Sequence, residues 1–318
     1  MSRPDSATLA AAVRDGQRRA VARAITRVEN GLSGSAGLVD ALYPHTGEAW
    51  RLGITGPPGA GKSTLTDRLI GSMREAGETV GVVAVDPSSP FTGGALLGDR
   101  VRFGERLGDD GVFYRSLAAR GAGGGLSEST EAACDMLDAA GFSRVVVETV
   151  GVGQGELDVA EAADTVVVVL VPESGDVVQA MKAGLMEIAD VFCVNKADHP
   201  EADALVGALR SMLRLRAHDE ATWMPPVVKT VATQAEGLDA LAEAMQEHRD
   251  WLGEDRWQAA RDDRLRRRVR RLVEAGWQRR FWTPERRATL RDAIATLGSE
   301  DRAPHALAAH ILAGSPRP

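Results

Sequence analysis

Two short runs in this chain have residue types and spacings that can hold a nucleotide. Gly56-Pro-Pro-Gly-Ala-Gly-Lys62-Ser63 keeps the spacing G-x-x-x-x-G-K-[ST]. Glycines at those places let backbone N–H groups close around phosphate oxygens, and a helix that opens there adds partial positive charge. Gly56, Gly59, Ala60 and Gly61 form the loop; Lys62 is expected to reach the β/γ-phosphates, Ser63 to ligate Mg²⁺ and Thr64 to help hold the α-phosphate. The second run, Asn195-Lys196-Ala-Asp198, suits a guanine base. The Asp198 carboxylate can accept from guanine N1–H and from the exocyclic amine. Adenine lacks that donor pair and would leave the acid unpaired, a mismatch that can discriminate by about 10⁴ or more. Asn195 is expected to brace the loops, and the Lys196 stem to cover the base. Lys229-Thr230-Val231-Ala232 fits the weaker third loop that closes over such a base. The expected ligands are GTP or GDP with Mg²⁺, and the expected reaction is phosphoryl transfer from GTP to water.

Two acids end strand-like runs and suit a cation. Asp86 closes Val82-Val-Ala-Val-Asp86, and Glu148 precedes Thr149-Val-Gly151-Val-Gly153-Gln154. A carboxylate at the carboxyl end of a strand can hold Mg²⁺ directly or through water. The second run looks like D-x-x-G with Glu in place of Asp, so the Gly151 N–H would meet the γ-phosphate and sense its loss. Either acid also suits a solvated strand end. The lysines add a clue: the chain has only Lys62, Lys182, Lys196 and Lys229 among 38 basic residues. A compact ammonium is not freely exchanged for a guanidinium. Two of the four lie in the motifs above and one opens the third loop, which singles out Lys182.

The elements that must position these residues alternate. Strand-like runs are 50–55, 80–86, 111–116, 144–149, 165–172, 191–195 and 226–230. Helical stretches fall at 62–76, 126–140, 176–189, 200–217 and 237–252. Runs such as Val145-Val-Val147 and Val166-Val-Val-Val-Leu-Val171 suit strands buried on both faces of a parallel sheet, which predicts an α/β architecture. Residues 5–30 read as one amphipathic helix, 36–43 as a second, and everything beyond 254 as helical. The stretch 254–282 carries ten arginines against five acids, with Leu265, Val269, Leu272, Val273 and Trp277 on one face. Arginine-rich helices bind nucleic acid in some proteins. An apolar stripe with interleaved Trp and Arg more often marks packing or a protein interface, and a homodimer or partner surface is the preferred reading here.

Composition narrows the class. At 318 residues with 44% hydrophobic and 26% charged content, the chain is ordinary for a globular protein. A net charge of −7 argues against bulk nucleic-acid binding. Two separated cysteines, Cys134 and Cys193, form no zinc signature and suit a reducing cytoplasm. No apolar run approaches the ~20 residues of a membrane span. The N-terminus has no signal-peptide pattern.

At Asp86-Pro-Ser-Ser, Thr92-Gly-Gly-x-x-Leu-Gly-Asp99-Arg, Glu148-Thr-Val-Gly-Val-Gly-Gln154-x-Glu156 and Gly175-Asp176-x-x-Gln179-x-x-Lys182-Ala-Gly-x-x-Glu187-Ile-Ala-Asp190, the chain resembles the MeaB-type GTPases. These are the G-protein chaperones of adenosylcobalamin-dependent acyl-CoA mutases, a group once labelled ArgK. The resemblance runs from about residue 15 to 250. It implies a P-loop NTPase of the SIMIBI class, with a mixed, mainly parallel sheet. The implied organisation is an N-terminal helical extension at 1–46, a GTPase domain at 47–253 and a C-terminal helical arm at 254–318 that supports a homodimer. Mg²⁺ and catalytic roles are implied for Asp86, Asp99 and Glu148, and the choice of acid that orients water stays open. The stretch carrying Asp176, Gln179, Lys182 and Glu187 resembles an extra switch that couples nucleotide state to the mutase. Methylmalonyl-CoA mutase is the default partner, with no nucleic-acid or membrane partner implied. The chain departs from the family at Pro90-Phe91 and in the glycine-rich Arg120-Gly-Ala-Gly-Gly-Gly125. Rival readings are a transport-associated ATPase or kinase and a nickel-delivery GTPase. The second would want the His or Cys clusters that this chain lacks in sequence.

Overall fold

The computed structural model describes residues 6–87, 108–119, 128–149, 155–172, 184–215, 219, 222–296 and 303–313. In chain order its elements are α1 (Ser6–Arg14), α2 (Arg18–Glu29), α3 (Ser35–Leu42), β1 (Trp50–Thr55), α4 (Lys62–Glu75), β2 (Val80–Pro87), β3 (Val112–Ala119), α5 (Glu128–Ala139), β4 (Arg144–Thr149), α6 (Gly155–Ala162), β5 (Thr165–Leu170), α7 (Leu185–Ile188), β6 (Val191–Val194), α8 (Ala202–Leu213), β7 (Val227–Lys229), α9 (Leu238–Phe281), α10 (Pro284–Thr296) and α11 (Pro304–Ala313). The strands lie in the order β3-β2-β4-β1-β5-β6-β7. Every pairing among them is parallel, where the resemblance implied a mixed sheet.

The valine runs explain the two-sided burial. Successive side chains of a strand point to opposite faces. Val145 and Val147 therefore join Val166, Val168 and Phe192 in a core under α1, α2, α3 and α5. Val146, Val167 and Val169 join Leu52 and Ile54 in a second core that holds Leu65 and Leu69 of α4 and Leu241 of α9. With both faces covered, nearly every strand position can be apolar. The strands fall within a few residues of the sequence expectation, and β1 and β4 coincide with it.

Three helical features also differ from the sequence reading. The expected helix over 5–30 is two helices, because Gly16 adopts a left-handed φ of 69° and its N–H bonds back to the Val13 carbonyl at 2.9 Å. Helix α6 is an additional element. Within α9, Gly253 is non-helical at φ 53° and ψ −170°, a break close to the expected end of the preceding helix.

The chain divides into two compact units, residues 1–257 and 258–318. In the first, Arg51 of β1 is buried and pairs with Asp135 at 2.9 Å and Asp138 at 3.4 Å. Asp138 also accepts from the N–H groups of Gly47, Glu48 and Ala49, which fixes the entry to β1. Among the described residues, no helix is long and apolar enough to cross a membrane.

Candidate nucleotide site

The loop after β1 leaves the middle of the sheet at the carboxyl ends of the strands, where ligands bind in open α/β folds. Its glycines are needed for two distinct reasons. Gly56 sits at φ 139°, and a Cβ there would lie 2.0 Å from the Val169 carbonyl oxygen of β5. Gly61 sits at φ 84°, and its Cβ would meet the Asn195 amide nitrogen at 2.4 Å. The first lets the loop cross its neighbouring strand. The second lets it approach the loop after β6. Gly59 has a φ of 80° in open space. Ala60 is fully buried. Lys62 opens α4 with its side chain buried, and Thr64 in the same turn is exposed.

The Lys62 ammonium donates to the carbonyls of Gly56 at 2.7 Å and Pro57 at 2.9 Å. Burial lowers its pKa, opposed by the negative charges of Glu148 and Glu156. The Ser63 hydroxyl donates to Glu148 Oε1 at 2.5 Å. Glu148 stands at the end of β4, in register with Ile54 of β1, and is buried. Glu156, in the first turn of α6, is buried as well; burial raises its carboxyl pKa and the Lys62 charge lowers it. The ammonium thus feels the negative charge of two carboxylates, and a serine hydroxyl sits on one of them. Hydroxyl and carboxylate oxygens are the ligands a small hard cation takes, so Ser63 and Glu148 fit Mg²⁺.

On the other side of the loop, Asn195 ties three segments together. Its Nδ2–H donates to the Ala60 carbonyl at 2.9 Å, and its Oδ1 accepts from the Thr230 hydroxyl at 3.2 Å and from Ala232 N–H at 3.1 Å. Thr230, Val231 and Ala232 are buried, and the Thr230 carbonyl accepts from Ala197 N–H at 3.0 Å. Lys196 holds a left-handed φ of 54°, uncommon for a residue with a side chain, and both it and Asp198 are exposed. The loop after β1, the Asn195–Asp198 run and the Lys229–Ala232 run therefore meet at one place.

Asp86 is the penultimate residue of β2, two residues beyond Ala84, which pairs with Glu148, and its side chain lies outside the described residues. Asp99, Gly151, Asp176, Gln179 and Lys182 lie outside them altogether. Glu187 is exposed on α7. In the sequence, Glu156 stands out only as part of a longer motif. Its place beside Lys62 depends on α6, an element without a strong periodic signal.

Comparison with known proteins agrees with this geometry. The family model for methylmalonyl-CoA mutase-associated GTPase MeaB matches residues 21–286. A Pyrococcus abyssi protein provisionally named a GTPase is 46% identical over 303 residues, covering 94% of each chain. The mouse mitochondrial methylmalonic aciduria type A homolog is 34% identical over 252 residues, covering 73% of this chain and 60% of its own. Among solved structures, a protein described as an LAO/AO transport system kinase matches with a TM-score of 0.74 at 27% identity, covering 98% of this chain and 99% of that one.

Proposed function

This chain belongs to the MeaB family of methylmalonyl-CoA mutase-associated GTPases, and from that membership we propose that it serves an adenosylcobalamin-dependent acyl-CoA mutase, gating cofactor loading and protecting the enzyme. The observation that carries the mutase reading is the family match over residues 21–286; the mouse relative's name points the same way. Methylmalonyl-CoA mutase is the proposed partner, the cytoplasm the proposed compartment, and a homodimer the proposed assembly. Neither nucleic acid nor membrane is a proposed partner.

In the proposed chemistry the phosphate-loop amides and Lys62 cradle the β- and γ-phosphates and offset the charge that develops on transfer. Ser63, Glu148, Asp86 and Asp99 would hold Mg²⁺, which supplies further charge neutralisation at the same oxygens. Glu148 or a neighbouring acid orients the attacking water. Asp198 reads the guanine edge, with Asn195 holding its loop against the phosphate loop. Gly151 senses the γ-phosphate. The stretch with Asp176, Gln179, Lys182 and Glu187 passes nucleotide state to the mutase.

The test is GTP turnover by the pure protein with and without methylmalonyl-CoA mutase from the same source. Stimulation by the mutase that disappears in Lys182→Ala is the expected result. Intrinsic turnover with no stimulation would sink this partner and direct the search to the other B12-dependent acyl-CoA mutases. Lys62→Ala is expected to abolish hydrolysis with or without the mutase. A second reading, a transport-linked kinase, draws on the solved relative described as an LAO/AO transport system kinase. It requires γ-phosphate to appear on a protein acceptor and ATP to compete with GTP.

A further inference from the structure

Thr55 is the last residue of β1, directly before Gly56, and is fully buried among apolar strands. Its neighbours need shape there, which valine would supply equally well. A hydroxyl in such a place has to be paired to be tolerated. It is paired twice. The Thr149 hydroxyl donates to Thr55 Oγ1 at 3.0 Å, and the Thr55 hydroxyl donates to the Glu156 backbone carbonyl at 3.2 Å. Thr149 and Glu156 are themselves buried.

The two partners stand on different elements. Thr149 follows Glu148 at the end of β4. Backbone pairing between β1 and β4 stops at Ile54 and Glu148, so the hydroxyl contact carries the pairing one residue further. Glu156 lies in the first turn of α6, where a carbonyl already accepts from the N–H four residues on. The bond from Thr55 is therefore an addition that helix geometry does not require. Through one oxygen atom, the strand that launches the phosphate loop is fastened to the end of β4 and to the start of α6. Those two elements carry the carboxylates beside the loop: Glu148 on the Ser63 hydroxyl, and Glu156 next to the Lys62 ammonium.

We infer that Thr55 is a positioning residue for GTP hydrolysis, whose hydroxyl keeps the end of β4 and the start of α6, with Glu148 and Glu156, in register with the phosphate loop. The inference rests on the reading of this site as hydrolytic. The loop amides and the Asn195 contacts do not depend on that hydroxyl, so nucleotide binding survives its loss. Turnover does not, because small displacements of the groups around a transferring phosphoryl are costly in rate.

The experiment compares full-length Thr55→Val, Thr55→Ser and Thr149→Val with the wild type. It measures kcat and KM for GTP, the affinity for GDP by calorimetry, and the melting temperature. Two neutral hydrogen bonds are at stake, which corresponds to a fall in kcat of about tenfold for Thr55→Val. KM and GDP affinity are expected to stay within about twofold. Thr55→Ser restores the rate, and Thr149→Val, which removes only the outer hydroxyl, loses part of it. An unchanged kcat in Thr55→Val, a loss that serine does not restore, or a loss matched in GDP affinity would each overturn the inference. If Thr55→Val does not fold, Thr149→Val decides: a wild-type kcat overturns the assignment and a lowered kcat with intact GDP binding supports it. A wild type that releases no phosphate would instead overturn the hydrolytic reading beneath it.

Discussion

Asn195 divides its amide among the Ala60 carbonyl, the Thr230 hydroxyl and the Ala232 N–H, all in a buried setting. Asn195→Ala leaves those groups without their partner in place of a balanced set. Each orphaned buried group costs about 1–3 kcal/mol, so affinity for GDP is expected to fall by about 10- to 100-fold. A fluorescence titration checks this, and wild-type affinity would remove Asn195 from the binding machinery. The residues around it differ in how legible they were. The phosphate loop and the Asn195–Asp198 run are contiguous, so spacing alone revealed them. The Thr55–Glu156 bond joins residues 101 positions apart, and no local pattern encodes it. Glu156 beside Lys62 was unreadable for the same reason: its position follows from which strand ends lie next to which.

At the scale of elements, strands buried on both faces announce themselves as unbroken valine runs, and β1 and β4 matched the sequence reading. Helix α6 did not, because Gly155-Glu-Leu-Asp-Val-Ala-Glu-Ala is short and acidic and leaves Leu157 exposed. Nor did the contacts that tie the amino ends of the strands to α9. There the Trp50 indole N–H donates to Thr165 Oγ1 at 3.0 Å, and that hydroxyl meets His248 Nδ1 at 2.9 Å. The other ring nitrogen, His248 Nε2, lies 3.3 Å from Asp190 Oδ1. Asp190 Oδ2 accepts from Val166 N–H at 2.8 Å. Burial pushes Asp190 up from 3.8 to about 7 and His248 down from 6.5 to about 4. The native state keeps the Asp190 proton longer than the unfolded chain does, so that contribution to stability falls as pH rises from about 4 to about 7. For His248 the unfolded chain takes up the proton first, so its contribution rises from about pH 4 to about 6.5. The two slopes oppose each other in the wild type. His248→Gln is expected to expose the falling slope and Asp190→Asn the rising one, read as denaturation midpoints against pH. Slopes of the same sign in both variants would refute the pairing.

For the molecule as a whole, the question is what the second unit is for. The site residues from Gly56 to Ala232 all belong to residues 1–257, and the remaining 61 residues, 258–318, make a separate compact unit. On its part of α9, Leu265, Val269, Leu272, Val273 and Trp277 form one face and are 38%, 49%, 39%, 54% and 61% exposed. Single exposed apolar residues are ordinary, but a continuous row on one helix face suits the proposed homodimer, in which a second chain would cover it. The arginines interleaved with that row do not by themselves turn it toward nucleic acid, since the chain's net charge is −7. A second copy presenting the same stripe would bury it by pairing the apolar rows, the geometry of a two-fold helical interface. The double substitution Val269→Glu with Val273→Glu places carboxylates in the middle of that row, two charges per copy facing two more. Sedimentation equilibrium is expected to show a dimer for the wild type and a monomer for the variant. Intrinsic GTP turnover is expected to be unchanged in the variant, because each described contact at the nucleotide site comes from the first unit. A monomeric wild type would remove the homodimer, and a dimeric variant would place its interface elsewhere.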